Sequence, residues 1–179
     1  MIKINVNYKI LIITAVSFLL LTACSSHKKI VSSQFTPKEE KQIEKEIEKR
    51  LKGDELKIID EAFEWLDTPY KYGAEEKGVA TDCSGMVMKV FEKSIGCKLP
   101  RNSAKQAEFC ESIRETEIKP GDLVFFITNS GDRINHVGIM LDDEKFIHAS
   151  SKGVVVASMR SNYYKTHFKK YGRVPCMKH

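Results

Sequence analysis

Five short strand-like runs in the second half of the chain, set off by turn residues, constrain the fold more than any other feature. Lys119-Pro120-Gly121-Asp122 is a strong turn signal and releases Leu123-Val124-Phe125-Phe126-Ile127 as a strand. A turn over 129–132 precedes His136-Val137-Gly138-Ile139-Met140-Leu141, and Asp142-Asp143-Glu144 returns the chain through Lys145 to Ala149. Val154 to Ser158 and Gly172 to Pro175 read as further strands, with a short helix near Tyr163 to His167 between them. The helical patterns lie upstream, so helices come first and an antiparallel sheet follows. The expected class is α+β.

Register in that sheet carries chemical information, because side chains alternate faces along a strand. A three-residue loop of 142, 143 and 144 pairs Leu141 with Lys145. Gly138 then faces His148, and His136 is its diagonal neighbour on the same face. A two-residue loop would send the imidazoles to opposite faces; the odd-length loop is the expectation. Gly138, between them, leaves room for something to approach. His27, His167 and His179 are read as ordinary hydrogen-bonded or surface residues.

Thr81-Asp82-Cys83-Ser84-Gly85 opens directly into Met86, Val87, Val90 and Phe91, apolar at helical spacing. Asp82 or its neighbour reads as the N-cap and Cys83 as a first-turn residue. Unpaired N–H groups and the positive end of the helix dipole favour a thiolate there, so Cys83 is the candidate nucleophile. With His136 as base and His148 as orienting group, the three make a nucleophilic set. The same three would need a fourth ligand to hold zinc, and neither a metal nor any other cofactor is expected.

The remaining chain divides simply. Lys3 and Lys9 precede an uncharged run from Ile10 to Leu21 that ends in Leu21-Thr22-Ala23-Cys24. At about twelve residues the run is short for a bilayer span, so 1–23 reads as a signal peptide. Residues 24–36 read as a tether with a reach of roughly 20 Å. Thr36-Pro37-Lys38-Glu39 has capping-box spacing and starts a charged helix to about Leu51, taken as a solvent-exposed extension over 37–53. Residues 54–179 form the expected domain. It begins with a helix whose stripe is Leu56, Ile59, Ala62, Phe63 and Leu66, with Trp65 off the stripe, and includes a short helix from about Ala104 to Cys110 capped by Ser103.

Composition matters for partners. Twenty-nine Lys and Arg against 24 Asp and Glu give +5, or +3 once Lys3 and Lys9 are removed with the signal. Interspersed charges on solvated faces argue against nucleic acid. The five cysteines form no CxxC pair. With Cys24 and Cys83 set aside, Cys97, Cys110 and Cys176 allow at most one internal disulfide, and the pairing stays open. Nothing in the sequence signals assembly, so a monomer is expected.

Pro69-Tyr70-Lys71-Tyr72-Gly73, Asp82-Cys83-Ser84-Gly85, Leu99-Pro100-Arg101-Asn102-Ser103, Pro120 to Phe126, His136-Val137-Gly138-Ile139 and Phe146-Ile147-His148-Ala149 occur in a shared order. They resemble the NlpC-type (p-sixty) family of papain-like bacterial cell-wall cysteine peptidases over about residues 55–175. The resemblance implies a papain-like fold with N-terminal helices packed on an antiparallel sheet. It implies Cys83 as nucleophile, His136 as base, His148 as the residue that orients it, and Tyr70 beside the nucleophile as an oxyanion donor. Asp82, Ser84 and Arg101 are candidates to line the cleft. The family usually carries two glycines after the tyrosine segment; here Ala74 follows Gly73.

The implied substrate is a peptidoglycan stem peptide, cut after D-glutamate on the way to a diamino acid through a thioester. Leu-Thr-Ala-Cys likewise resembles a lipobox, which implies acylation at Cys24, a membrane anchor, and a place in the cell envelope facing the periplasm or exterior. A non-catalytic wall-binding lipoprotein, and an amidase or acyltransferase on the same fold, are the alternatives.

Overall fold

The computed structural model describes residues 35–178. The signal segment, Cys24 and most of the tether lie outside the described residues. Among those described, no helix is long and apolar enough to cross a membrane.

The first helix, α1 (Pro37–Glu48), starts as its capping box dictates: Glu39 N–H donates to Thr36 Oγ1 at 3.3 Å and Thr36 N–H to Glu39 Oε2 at 2.6 Å. Its expected exposure is corrected by the structure. Ile47 is 2% exposed, Ile43 packs on the core, and the buried Glu40 accepts Val156 N–H at 3.2 Å. Two isoleucines on one face of a highly charged helix are enough to dock it. Helix α2 (Gly53–Phe63) buries Ile58, Ile59, Ala62 and Phe63. Trp65 joins that core at 3% exposure and donates its indole N–H to Glu61.

After a two-residue hairpin, β1 (Glu75–Glu76) and β2 (Ala80–Thr81), come α3 (Cys83–Ile95) and α4 (Ser103–Phe109). Asn102, not Ser103, caps α4, accepting Lys105 N–H at 2.9 Å. The main sheet has the order β3-β8-β4-β5-β6-β7 with every pair antiparallel. Its strands are β3 (Glu111–Ile113), β4 (Leu123–Phe126), β5 (His136–Met140), β6 (Lys145–Ser150), β7 (Gly153–Ser158) and β8 (Phe168–Arg173). The last strand thus begins earlier than the expected Gly172, and α5 (Asn162–His167) leads into it.

The sheet has two unlike faces. Leu123, Phe125, Val137, Ile139, Ile147, Ala149, Val154 and Val156 pack with Met86, Val87, Val90 and Phe91 of α3 and with α2. Val124, Phe126, Met140, Phe146, Ala157 and Tyr171 form a second cluster on the other face, partly covered by Tyr164 of α5. Cys97 and Cys176 form a disulfide, tying the end of α3 to the C-terminal residues across 79 positions of chain; Cys83 and Cys110 are free.

Register follows the odd-length loop. Ile139 pairs with Ile147 and Met140 with Phe146, so residues summing to 286 oppose each other. Gly138 is required there for a reason other than access: an added Cβ would lie 2.6 Å from Phe146 Cδ2, 3.1 Å from Ile147 O and 3.2 Å from His148 Cβ. Space beside it is filled, not open. Gly138→Ala is therefore expected to push β6 from β5 and to cost roughly 1–3 kcal/mol, readable as a lowered urea midpoint at constant slope. An unshifted midpoint would mean that β6 gives way freely.

Candidate active site

Asp82 is buried and fully engaged at the start of α3. Its Oδ1 accepts Gly85 N–H at 2.7 Å, its Oδ2 accepts Gly73 N–H at 2.8 Å, and Arg101 donates to both oxygens at 2.9 and 2.8 Å. Burial pushes its carboxyl pKa up, but Arg101 and the Gly85 and Gly73 N–H groups more than offset this and hold it below the ordinary value. Arg101 also reaches Glu75 at 3.1 Å, Ser84 Oγ at 3.1 Å and Ala74 O at 3.3 Å. Ser84 is 5% exposed and Gly85 lies so close to Ala74 O that a Cβ would meet it at 2.6 Å. Asp82, Ser84 and Arg101 thus brace the turn that carries the cysteine. Ala74, after Gly73, accepts Asp82 N–H at its carbonyl at 3.0 Å.

Cys83 sits in the first turn of α3 at 7% exposure. Its thiol points to Asn135 O at 3.9 Å, and the Val137 N–H lies near enough to favour its thiolate form. The β5–β6 pairing begins only at Ile139, which leaves Val137 N–H outside that ladder and turned to the thiol. The sulfur therefore lies against the backbone on both sides of His136. Helix α3 packs on the sheet face opposite the one that carries the histidines, so the thiol comes in at the splayed end of β5 and not over the sheet face.

His136 Nε2 and His148 Nδ1 are 2.8 Å apart, with ring planes at 89°. His136, half-buried, also stacks near Phe126, and His148 is 2% exposed beside Phe146. The bond to His148 uses Nε2 of His136 and leaves its Nδ1 for other chemistry. On its far side His148 Nε2 meets Tyr164 OH at 2.9 Å. Sequence reasoning missed Tyr164, because nothing in Asn162-Tyr163-Tyr164 distinguishes one tyrosine from the next. Tyr70, 40% exposed, bridges to Thr81 beside the cysteine turn. Burial raises its phenol pKa, and the neighbouring Cys83 and Asp82 raise it further.

The electrostatics work against the expected resting thiolate. Burial pushes the Cys83 thiol up to about 11, with the Asp82 carboxylate adding to it; N–H groups of Val137, Ser84 and Cys83 itself pull the other way without prevailing. Burial likewise lowers His136 to about 4 and takes His148 well below its usual value, where the neighbouring His136 adds to the effect. Burial thus disfavours both the thiolate and the imidazolium forms of these three side chains. Among the described residues no group of three or more His, Cys, Asp or Glu side chains is arranged to hold a metal. Alkylation of Cys83 by iodoacetamide, with Cys83→Ala as the blank for Cys110, should keep accelerating from pH 7 to 10 as the thiol ionises. A plateau reached below pH 6 would instead reveal a resting ion pair.

The model of the NlpC/P60 family matches residues 67–173. The chain is similar to the Escherichia coli K12 protein named probable endopeptidase NlpC, 36% identical over 168 residues that cover 90% of this chain and 96% of that one. It is similar also to the E. coli protein named murein DD-endopeptidase MepS/murein LD-carboxypeptidase, 33% identical over 87% of this chain and 86% of that one. A probable endopeptidase of Haemophilus influenzae is 41% identical over 60% of this chain and 66% of its own length. Among solved structures, one from Staphylococcus aureus described as similar to lipoprotein, NLP/P60 family, superposes with a TM-score of 0.63 at 32% identity. It covers 68% of this chain, and the chain spans only 41% of it.

Proposed function

We propose, from the premise that this chain belongs to the NlpC/P60 family, that it is an exported, lipid-anchored cysteine peptidase that hydrolyses amide bonds in peptidoglycan stem peptides. The observation that carries this reading is the contact of the Cys83 thiol with the backbone flanking His136, whose ring is in turn hydrogen-bonded to His148.

His136 takes the thiol proton through Nδ1 as sulfur attacks the amide carbonyl, so charge separates only when substrate is in place. Tyr70 OH and the Cys83 N–H receive the developing oxyanion. The imidazolium then protonates the departing amine, which leaves a thioester, and His136 next removes a proton from the water that releases it.

For the bond, the family resemblance favours the D-glutamyl to diamino acid linkage. A cross-link between two stem peptides is the second reading, favoured by the near full-length match to a relative named for DD-endopeptidase activity. Acylation at Cys24 would hold the domain at a membrane of the cell envelope, facing the wall.

Incubation of purified peptidoglycan with the full-length chain in mild detergent, followed by mass spectrometry of the released fragments, tests the reading. New amino termini on a diamino acid support the first bond, and loss of cross-linked dimers supports the second. Identical fragments from Cys83→Ala would remove Cys83 as nucleophile, and none from the wild type would leave a wall-binding role in place of hydrolysis.

A further inference from the structure

The His136–His148 pair does not end at His148. Its Nε2 is 2.9 Å from Tyr164 OH, and three groups from β5, β6 and α5 form one hydrogen-bonded chain. We propose that Tyr164 is a positioning residue for the reaction, its hydroxyl oxygen being the acceptor that lets His148 receive a hydrogen bond from His136 while His136 is charged.

The direction of the chain follows from counting protons. Once His136 has taken the thiol proton, both of its ring nitrogens carry hydrogen, so its Nε2–H must donate to His148. His148 Nδ1 must then present a lone pair. Neutral His148 therefore carries its own proton on Nε2, and that N–H faces Tyr164. An acceptor is needed there. His148 is 2% exposed, so water is a poor substitute, and a buried N–H without a partner is costly. Tyr164 fills the role as a neutral group: burial pushes its phenol up to about 12, so it keeps its own proton.

Ring and hydroxyl have separable duties. The ring packs against Phe126 at 5.4 Å and Phe146 at 4.8 Å between centroids, closing the second face of the sheet. The hydroxyl touches His148. Among the described residues, the ring neighbours of the two imidazoles from β4 and β6 are the apolar Phe126 and Phe146; the titratable groups nearby are Tyr164 of α5, bonded to His148, and Cys83 of α3, whose thiol meets the backbone beside His136. Removing the hydroxyl alone thus probes the chain of hydrogen bonds and leaves the packing in place.

The inference rests on the peptidase reading above, and the test separates the two. Tyr164→Phe is made in the full-length chain and compared with wild type and Cys83→Ala on peptidoglycan fragments, with histidine titration followed by 15N NMR. The expected result is kcat lowered roughly tenfold at unchanged KM, a melting temperature near that of wild type, and a lower protonation midpoint for the His136–His148 pair. A purely structural tyrosine would move neither the midpoint nor kcat once its ring is kept. Wild-type kcat together with a wild-type titration in Tyr164→Phe overturns the role of Tyr164 and leaves the peptidase reading standing. No fragments from wild type, with Cys83→Ala indistinguishable from it, overturns the peptidase reading itself and with it a catalytic role for the chain.

Discussion

Replacing His136 with glutamine will slow stem-peptide hydrolysis by about four orders of magnitude and leave the fold standing. The thiol beside it is pushed up to about 11, so at pH 7 only about one molecule in ten thousand would carry a thiolate without a base to take the proton. Glutamine has no basic nitrogen to offer. Its amide can still reach towards His148, so the half-buried position at the start of β5 remains filled. His148→Asn should be much milder, roughly ten- to a hundredfold, because a side-chain carbonyl can still accept from His136 even at shorter reach. Single-turnover release of peptide fragments measures both. A His136→Gln enzyme that keeps more than a tenth of the wild-type rate would place the base elsewhere.

Asp82→Ala is expected to cost about 3 kcal/mol of stability, a melting temperature lower by roughly 10 °C in a domain of this size. About 1 kcal/mol of that is the lost helix cap. The remainder comes from separating Arg101 from a carboxylate it grips at 2.8 and 2.9 Å, an effect moderated because Arg101 is 38% exposed and can turn to water and Glu75. Asp82→Asn keeps an oxygen for Gly85 N–H and should fall about halfway. Sign follows from the lowered carboxyl: its contribution is complete above the unfolded value of 3.8 and disappears as pH falls through the folded value below it. Activity should drop with stability, because the same carboxylate fixes the turn that aims Cys83. Calorimetry at pH 7 decides the first point, and an alanine variant that melts within 2 °C of wild type would show the brace to be ornamental.

Local chemistry was legible where neighbours in the chain set it. The capping box at Thr36, the Asp82 cap, the opening of α3 at Cys83 and the three-residue loop that puts His136 and His148 on one sheet face all depend on hydrogen bonds or parity within a few residues. Where distant segments meet, the pattern was silent or misleading. The docking of α1 through Ile43 and Ile47, the burial of Trp65 and the crowding around Gly138 are all long-range packing events. Cys97 pairing with Cys176 and leaving Cys110 free is another, since spacing says nothing about which sulfurs come close.

The amino-acid order alone determined that a cysteine opens a capped helix and that two imidazoles share a sheet face, because alternation along a strand and capping at a helix start are properties of the backbone. Only the tertiary structure decided how that set behaves. It brought the thiol in at the splayed end of β5, added Tyr164 behind His148, and buried Cys83 and His148 deeply enough that desolvation outweighs the helix start and disfavours their charged forms. Burial is a sum over every segment packed around a site, and no single stretch of sequence contains it.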